Sequence, residues 1–146
     1  MCASANSYRM VFYAWGSGTY LGEKYERSST GHAFAYIPGL GYRGFSTKEG
    51  EDGHIGVKGD ISDHEELFQY ATDSFVVYLS KAQWESVKDK YRQLEQNVPR
   101  YTIMDYDCTS FTMDLADAAG IRYGNRKFIQ WPISFIQELK KHNPSK

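Results

Sequence analysis

The chain has few cysteines, no long apolar run and no excess of charge of one sign, and each shortage excludes a class of protein. Its 146 residues contain only two cysteines, Cys2 and Cys108, too few for a disulfide framework. Cysteine and histidine do not occur in pairs at ligand spacing, so we expect no zinc or other metal and no cofactor. The net charge is −1, with basic and acidic residues interspersed, which argues against a nucleic-acid partner.

A membrane anchor and an ordinary secretory signal are also missing from the sequence. No stretch approaches the roughly 20 apolar residues that cross a bilayer, so we expect no stable membrane insertion. The segment 1–7 lacks the basic and apolar regions of a signal peptide. We therefore expect a protein made in the cytoplasm that either stays there or leaves by a route that reads no such signal.

Aromatic residues are what the chain has in abundance. They make up 16% of the sequence, with 12 tyrosines, and many lie in the N-terminal half. Tyrosine combines an apolar ring with a polar tip, which suits half-buried strands and also grooves that hold sugars or peptides. The length fits one domain with a single core, residues 1–146.

Alternating apolar residues and turn signals predict an α+β fold with an antiparallel sheet of about five strands. The predicted strands cover residues 9–15, 31–37, 42–47, 54–58 and 74–79.

Helix signals follow the strands. Ser80 and Gln83 form a capping box that opens a helix ending near residue 97. Asp107 is the predicted N-cap of a helix over 108–119 that Gly120 closes. A last helix begins at Pro132.

Cys108 is the residue with the clearest chemical potential. It stands at a predicted helix start, where backbone N–H groups and the helix dipole favour a thiolate. Its own N–H is free to stabilise an oxyanion. The alternative is a buried, inert cysteine, because Cys108, Phe111 and Leu115 share one helical stripe. Asp107 beside it would oppose thiolate formation.

His32 is the candidate general base. On a strand, His32, Phe34 and Tyr36 share one face, and the small Ala33 and Ala35 share the other, where a helix can approach closely. A third residue should orient the imidazole. A hairpin turn at Gly39-Leu40 would place Ser46 or Thr47 opposite His32, and His54 is a further candidate; the sequence does not decide among them.

Three segments in order carry a family resemblance: 31–34 (GHAF), 41–46 (GYRGFS) and 107–111 (DCTSF). The order resembles the circularly permuted NlpC-type branch of the papain-like cysteine hydrolases, in which the histidine strand precedes the cysteine helix. The resemblance implies a permuted papain-like fold with the nucleophile helix packed on the sheet, Cys108 as nucleophile and His32 as base.

The resemblance also implies a substrate and a setting. One branch cleaves amide bonds in peptidoglycan peptides, often as an antibacterial effector that a type VI secretion apparatus delivers to the periplasm of a target cell and that an immunity protein neutralises. A second branch, similar to lecithin:retinol acyltransferase, transfers or hydrolyses acyl groups of lipids. A non-catalytic binding domain remains the third alternative.

Overall fold

A six-stranded sheet is the centre of the computed structural model, which describes residues 6–21, 30–51, 53–126 and 131–144. In chain order the elements are β1 (Asn6–Trp15), β2 (His32–Ile37), β3 (Gly41–Thr47), β4 (Val57–Asp63), a 3₁₀ helix (Glu65–Tyr70), β5 (Asp73–Ser80), α1 (Lys81–Gln96), β6 (Arg100–Tyr101), α2 (Cys108–Ala119) and α3 (Pro132–His142). The strands lie in the order β5-β1-β2-β3-β4-β6, and all neighbours are antiparallel. The predicted α+β class is confirmed, and the described residues form six strands where about five were predicted.

The fourth strand lies further along the chain than the sequence pattern indicated. The predicted strand 54–58 is wrong, because β4 starts at Val57 and continues through an acidic stretch to Asp63. Residues 59–63 pair with residues 43–47 of β3. The two acidic side chains of β4 point to opposite sides of the sheet, because Asp60 and Asp63 are three residues apart and pair with Ser46 and Arg43.

Alternation along β1, β2 and β3 gives the sheet two faces of different character. We call the side that the helices cover the helix face. Its core residues on these strands are Met10, Phe12, Ala14, Ala33, Ala35, Ile37 and Phe45, all fully buried. We call the other side the histidine face. It carries Tyr13, Trp15, His32, Phe34, Tyr36, Tyr42, Gly44 and Ser46.

Helix α2 packs closely on the helix face because the strand beneath it carries small side chains there. Ala33 and Ala35 of β2 are fully buried in the same cluster as Phe111 and Leu115 of α2. Small side chains on a strand allow close approach of a helix backbone, which is the arrangement the alternation predicted. Helix α3 covers the neighbouring part, where Phe135 meets Phe12 edge to face.

The helix boundaries follow the predicted capping signals. Ser80 and Gln83 form the capping box of α1. Asp107 caps α2 and forms a second capping box with Ser110, and Gly120 ends α2 in the left-handed conformation at φ 72°. These contacts satisfy backbone groups that a helix end leaves unpaired, and they fix Cys108 as the first residue of α2.

A smaller cluster lies on the histidine face. Trp15, Leu21 and Phe34 are its buried members, and Leu67 of the 3₁₀ helix packs against them. The 3₁₀ helix thus covers part of this face and leaves a cleft between itself and the strands.

Candidate thiol site and histidine cleft

The thiol of Cys108 lies in the core between α2 and β2. Only 5% of the residue is exposed. The sulfur accepts a hydrogen bond from the backbone N–H of Ala33, and it lies 4.0 Å from the hydroxyl of Thr109. Cys108 is a free thiol, and Cys2, with most of segment 1–7, lies outside the described residues.

Burial controls the ionisation of this thiol. It raises the pKa of Cys108 to about 12, and the negative charge of Asp107 acts in the same direction. Hydrogen bonds from Ala33 and Thr109 lower the pKa without compensating for the burial. Burial of the sulfur therefore acts against formation of a thiolate at this helix start.

Asp107 organises the chain around the thiol. Its carboxylate accepts from the N–H groups of Ser110 at 3.1 Å and Met104 at 2.9 Å, and it forms an ion pair with Arg126 at 3.2 Å. Met104 holds the unfavourable φ of 67°, which for a residue with a side chain costs energy that the surrounding contacts must offset. Asp107 thus stabilises both the backbone that precedes α2 and the first turn of the helix.

The backbone N–H of Cys108, predicted to stabilise an oxyanion, already has a partner. It donates to the hydroxyl oxygen of Tyr101, whose pKa is raised by burial and by the neighbouring Cys108 and Asp107. The cavity beside the thiol has a volume of about 10 Å³ and is bordered by Gly31, Met104 and others. That space accommodates about one water molecule.

His32 does not meet Cys108. His32 lies directly opposite Trp15 on β1, with the ring centroids 5.1 Å apart on the histidine face. The sulfur of Cys108 contacts Ala33, the next residue of β2, on the helix face. Adjacent residues of a strand point to opposite sides of the sheet, so the structure does not bring the side chains of His32 and Cys108 together, and their dyad stays a prediction.

The three residues predicted as possible partners of the His32 imidazole lie in different parts of the structure. The register that pairs Phe34 with Gly44 places Ser46 opposite His32, and both residues line one cleft. Thr47 alternates to the other side of β3, and it pairs with Gly59. His54 is exposed and precedes β4, its ring 6.1 Å from that of Tyr101. Only Ser46 is therefore brought to His32.

His64 is the neighbour of His32 that the sequence did not reveal. Its ring stacks on that of His32 at 4.9 Å with the planes 18° apart, and only 4% of the residue is exposed. The ring lies over Gly44, where a Cβ atom would come within 2.5 Å of it. His64 Nδ1 lies 3.0 Å from the carbonyl oxygen of Ser62, to which it donates. The signal in the sequence was Gly44, whose missing side chain leaves room for a ring from the next strand.

Both histidines are held in the neutral form at neutral pH. Burial lowers the pKa of His32 well below 6.5, and the nearby His64 lowers it further. Burial also lowers the pKa of His64, which the carbonyl of Ser62 and the carboxylates of Asp63 and Asp60 partly counteract. Neutral imidazole has one nitrogen that donates and one that accepts.

Two buried polar atoms beside the cleft have no hydrogen-bond partner. They are Nε1 of Trp15 and Nε2 of His32. Most buried polar atoms in folded proteins are paired, so each unpaired one calls for an explanation. The two belong to residues that face each other across β1 and β2.

The histidine cleft is the open volume above these two residues. It measures about 400 Å³ and is lined by Trp15, Gly31, His32, Ser46, Ser62, Asp63, His64, Glu66 and Leu67. Its lining combines aromatic rings, hydroxyls and carboxylates. A volume of this size lies within the range of sites for small molecules and short peptide segments.

The chain matches no protein-family model, no curated protein and no solved structure. Among the described residues, no group of three or more His, Cys, Asp or Glu side chains is placed to hold a metal ion. None of the helices within the described ranges is long and apolar enough to cross a bilayer.

Proposed function

We propose that this chain is a binding domain whose ligand occupies the histidine cleft, and that Cys108 serves as a core residue. The observation that carries the proposal is the cleft itself, an open volume of about 400 Å³ where Trp15, His32 and His64 are joined by the hydroxyls of Ser46 and Ser62.

Peptides are the ligand class that we assign to the cleft. Its aromatic walls match the apolar parts of a peptide, and its hydroxyls, from Ser46 and Ser62, match the polar parts. The volume of about 400 Å³ is compatible with two or three residues in extended form. Tyrosine-rich strands with a polar rim are also the feature of the sequence that indicated a groove for peptides or sugars.

Binding is tested by nuclear magnetic resonance on the ¹⁵N-labelled chain. Purified muropeptides and, separately, a set of unrelated tripeptides are added up to millimolar concentration. We expect shifts of the Trp15 indole and of the Ser46 and Ser62 amides, with the signals around Cys108 unchanged. Unshifted cleft signals with every peptide added would refute the proposal.

A cysteine hydrolase that cleaves amide bonds of peptidoglycan peptides is the second candidate. It is favoured by the N–H groups of Ala33 and Thr109, which surround the sulfur at the start of α2 and stabilise a thiolate. Its nucleophile would need a base, and in the described part of the chain no imidazole contacts the sulfur. As a peptidoglycan hydrolase, the protein would act in a bacterial target cell and would be neutralised by an immunity protein, as the resemblance implies.

One experiment separates the two candidates. The wild-type chain and Cys108→Ala are incubated with muropeptides and, in parallel, with phospholipid vesicles, and the products are analysed by mass spectrometry. The binding domain predicts no product from either. New peptide fragments that Cys108→Ala does not form would establish the amidase, and released fatty acid with the same dependence would establish the lipid enzyme.

A further inference from the structure

We infer that two copies of this chain pair through the outer edge of β5, as antiparallel strands with Val77 on the two-fold axis. The inference is independent of the proposed function, because none of the residues that line the histidine cleft belongs to β5. The partner at this edge is a second copy of the chain, and the contact joins two six-stranded sheets into one.

The two edges of the sheet differ in how well they are protected against pairing. At one edge, β6 has only two residues and follows Pro99, and the part of β4 beyond it carries Asp60 and Asp63. Short strands, prolines and charges are the usual features that keep a sheet edge from pairing with another chain. At the other edge, β5 has eight residues, no proline and a single charge, Asp73 at its start. The edge at β5 therefore lacks this protection.

The backbone of β5 presents hydrogen-bonding groups to the outside. The C=O of Ala14 on β1 points toward β5, where a backbone N–H donates to it at 2.9 Å. Asp73 lies opposite Ala14, so its own N–H and C=O point back to β1. Alternation then turns the backbone groups of Ser74, Val76 and Tyr78 to the outer edge. Those of Val76 and Tyr78 have no hydrogen-bond partner in the described part of the chain.

The side chains next to these backbone groups are apolar and exposed. Val76 is 40% exposed and Tyr78 is 55% exposed, and both point to the histidine face. An edge strand that combines open backbone groups with exposed apolar side chains favours the addition of a further strand. The side chains decide which strand fits.

A second copy of β5 fits both kinds of group in one register. Two-fold antiparallel pairing in which the outward backbone groups meet places either Val76 or Val77 at the centre. With Val77 on the axis, Val76 lies opposite Tyr78 of the second copy. These two residues then exchange backbone hydrogen bonds, and their exposed side chains cover each other. With Val76 on the axis, Tyr78 would lie opposite Ser74 and lose the apolar contact.

Charge complementarity favours the same register. With Val77 on the axis, Asp73 lies beside Lys81 of the second copy, the exposed first residue of α1. Asp73 also contacts Lys140 of its own chain, so its carboxylate lies between two ammonium groups at each end of the interface. In the other register Asp73 would lie opposite Leu79. Exposed charge pairs add little affinity, but they distinguish one register from another.

Sedimentation equilibrium of the full chain measures the association. We expect the mean mass to rise from monomer toward dimer across the micromolar range, because two short strands bury a small interface. Val76→Lys places a charge in this contact and should weaken dimerisation at least about tenfold. Val98→Lys is the matched control, since Val98 is 41% exposed and lies outside β5, and it should associate as wild type does. Circular dichroism confirms that each variant is folded.

Two outcomes of this experiment would overturn the inference. One is a chain that stays monomeric up to millimolar concentration, in which case the edge of β5 does not bind a second copy. The other is a dimer that Val98→Lys weakens as much as Val76→Lys does, because the contact would then lie elsewhere.

Disulfide cross-linking tests the register. In a Cys2→Ala background, Val77→Cys and Val76→Cys are oxidised separately, with Val98→Cys as the control outside the strand. A residue on the axis lies opposite itself, at a Cα separation of about 4.5–5.5 Å that a disulfide spans. We expect Val77→Cys to form a covalent dimer about tenfold faster than either other variant. Faster cross-linking of Val76→Cys or Val98→Cys would overturn the pairing that we infer.

Discussion

The two sides of strand β2 show how differently neighbouring residues are used. On the helix face, the thiol next to Ala33 has hydrogen-bond partners, is deeply buried and has little space around it. On the histidine face, His32 keeps an unpartnered nitrogen beside a cleft of about 400 Å³. One side has the properties of a core and the other those of a site. A reactive residue type is therefore weaker evidence for a site than a mixed polar and aromatic lining around open volume.

The largest expected effect concerns the reactivity of the thiol. In a Cys2→Ala background, so that only Cys108 reacts, we expect iodoacetamide to label the native chain at pH 7 about a thousandfold more slowly than free cysteine. The reason is the pKa of about 12 together with burial. Mass spectrometry measures the rate, and labelling in urea is the control. Rapid labelling of the native chain would contradict the assignment of Cys108 to the core and would favour the hydrolase.

Asp107→Ala tests whether the helix face depends on its polar contacts. The variant loses the cap of α2, the acceptor for Met104 and the partner of Arg126. We expect a loss of about 3 kcal/mol in the free energy of unfolding, measured in urea. Asp89→Ala, which removes an exposed ion pair with Arg92, is the control and should change stability by under about 0.5 kcal/mol.

Gly44→Ala tests the stacked histidines. A Cβ atom at this position would lie within 2.5 Å of the His64 ring, so the ring must move. We expect a loss of about 2 kcal/mol and shifted ring signals of both histidines. Gly16→Ala is the matched control, since its Cβ would meet Ile133 at an ordinary 3.6 Å. An unchanged His64 signal in Gly44→Ala would contradict the stacking.

The smallest effect is a dependence of stability on pH. The pKa of His32 is lower in the folded chain than its ordinary value of 6.5, so below that pH the unfolded chain binds a proton that the folded chain does not. Stability should fall as the pH drops from about 6.5, and His64 adds to this fall. His32→Phe should have a shallower slope in urea unfolding at several pH values. A slope as steep as that of wild type would show that His32 is not the cause.

Much of the fold could be predicted because it depends on local signals. The helix caps Ser80 and Asp107 lie where the sequence predicted them. The hairpin of β2 and β3 has one of the two predicted registers, the one that places Ser46 opposite His32. Strand β4 was misplaced because its acidic residues resemble a loop, and only the pairing with β3 shows that they belong to a strand.

The site could be predicted less well because it depends on which side each group faces. The resemblance implied that Cys108 and His32 meet, whereas in the structure His32 lies on the histidine face and Cys108 packs in the cluster of Ala33 on the helix face. The stack of His32 on His64 joins strand β2 to the residue that follows β4, with β3 between them. Local propensity carries no information about such a contact.

Large and small side chains alternate along β2, and this has a consequence for how the chain can change. Inserting or deleting one residue before Ala33 would turn every later side chain of the strand to the other side. Phe34 would then point at α2, where Ala33 and Ala35 now pack, and its place in the cluster with Trp15 and Leu21 would be lost. A one-residue shift that brought the imidazole of His32 to the sulfur of Cys108 would disrupt the packing on both sides of the sheet. We therefore expect insertions and deletions of one residue in β2 to be among the changes that this fold tolerates least.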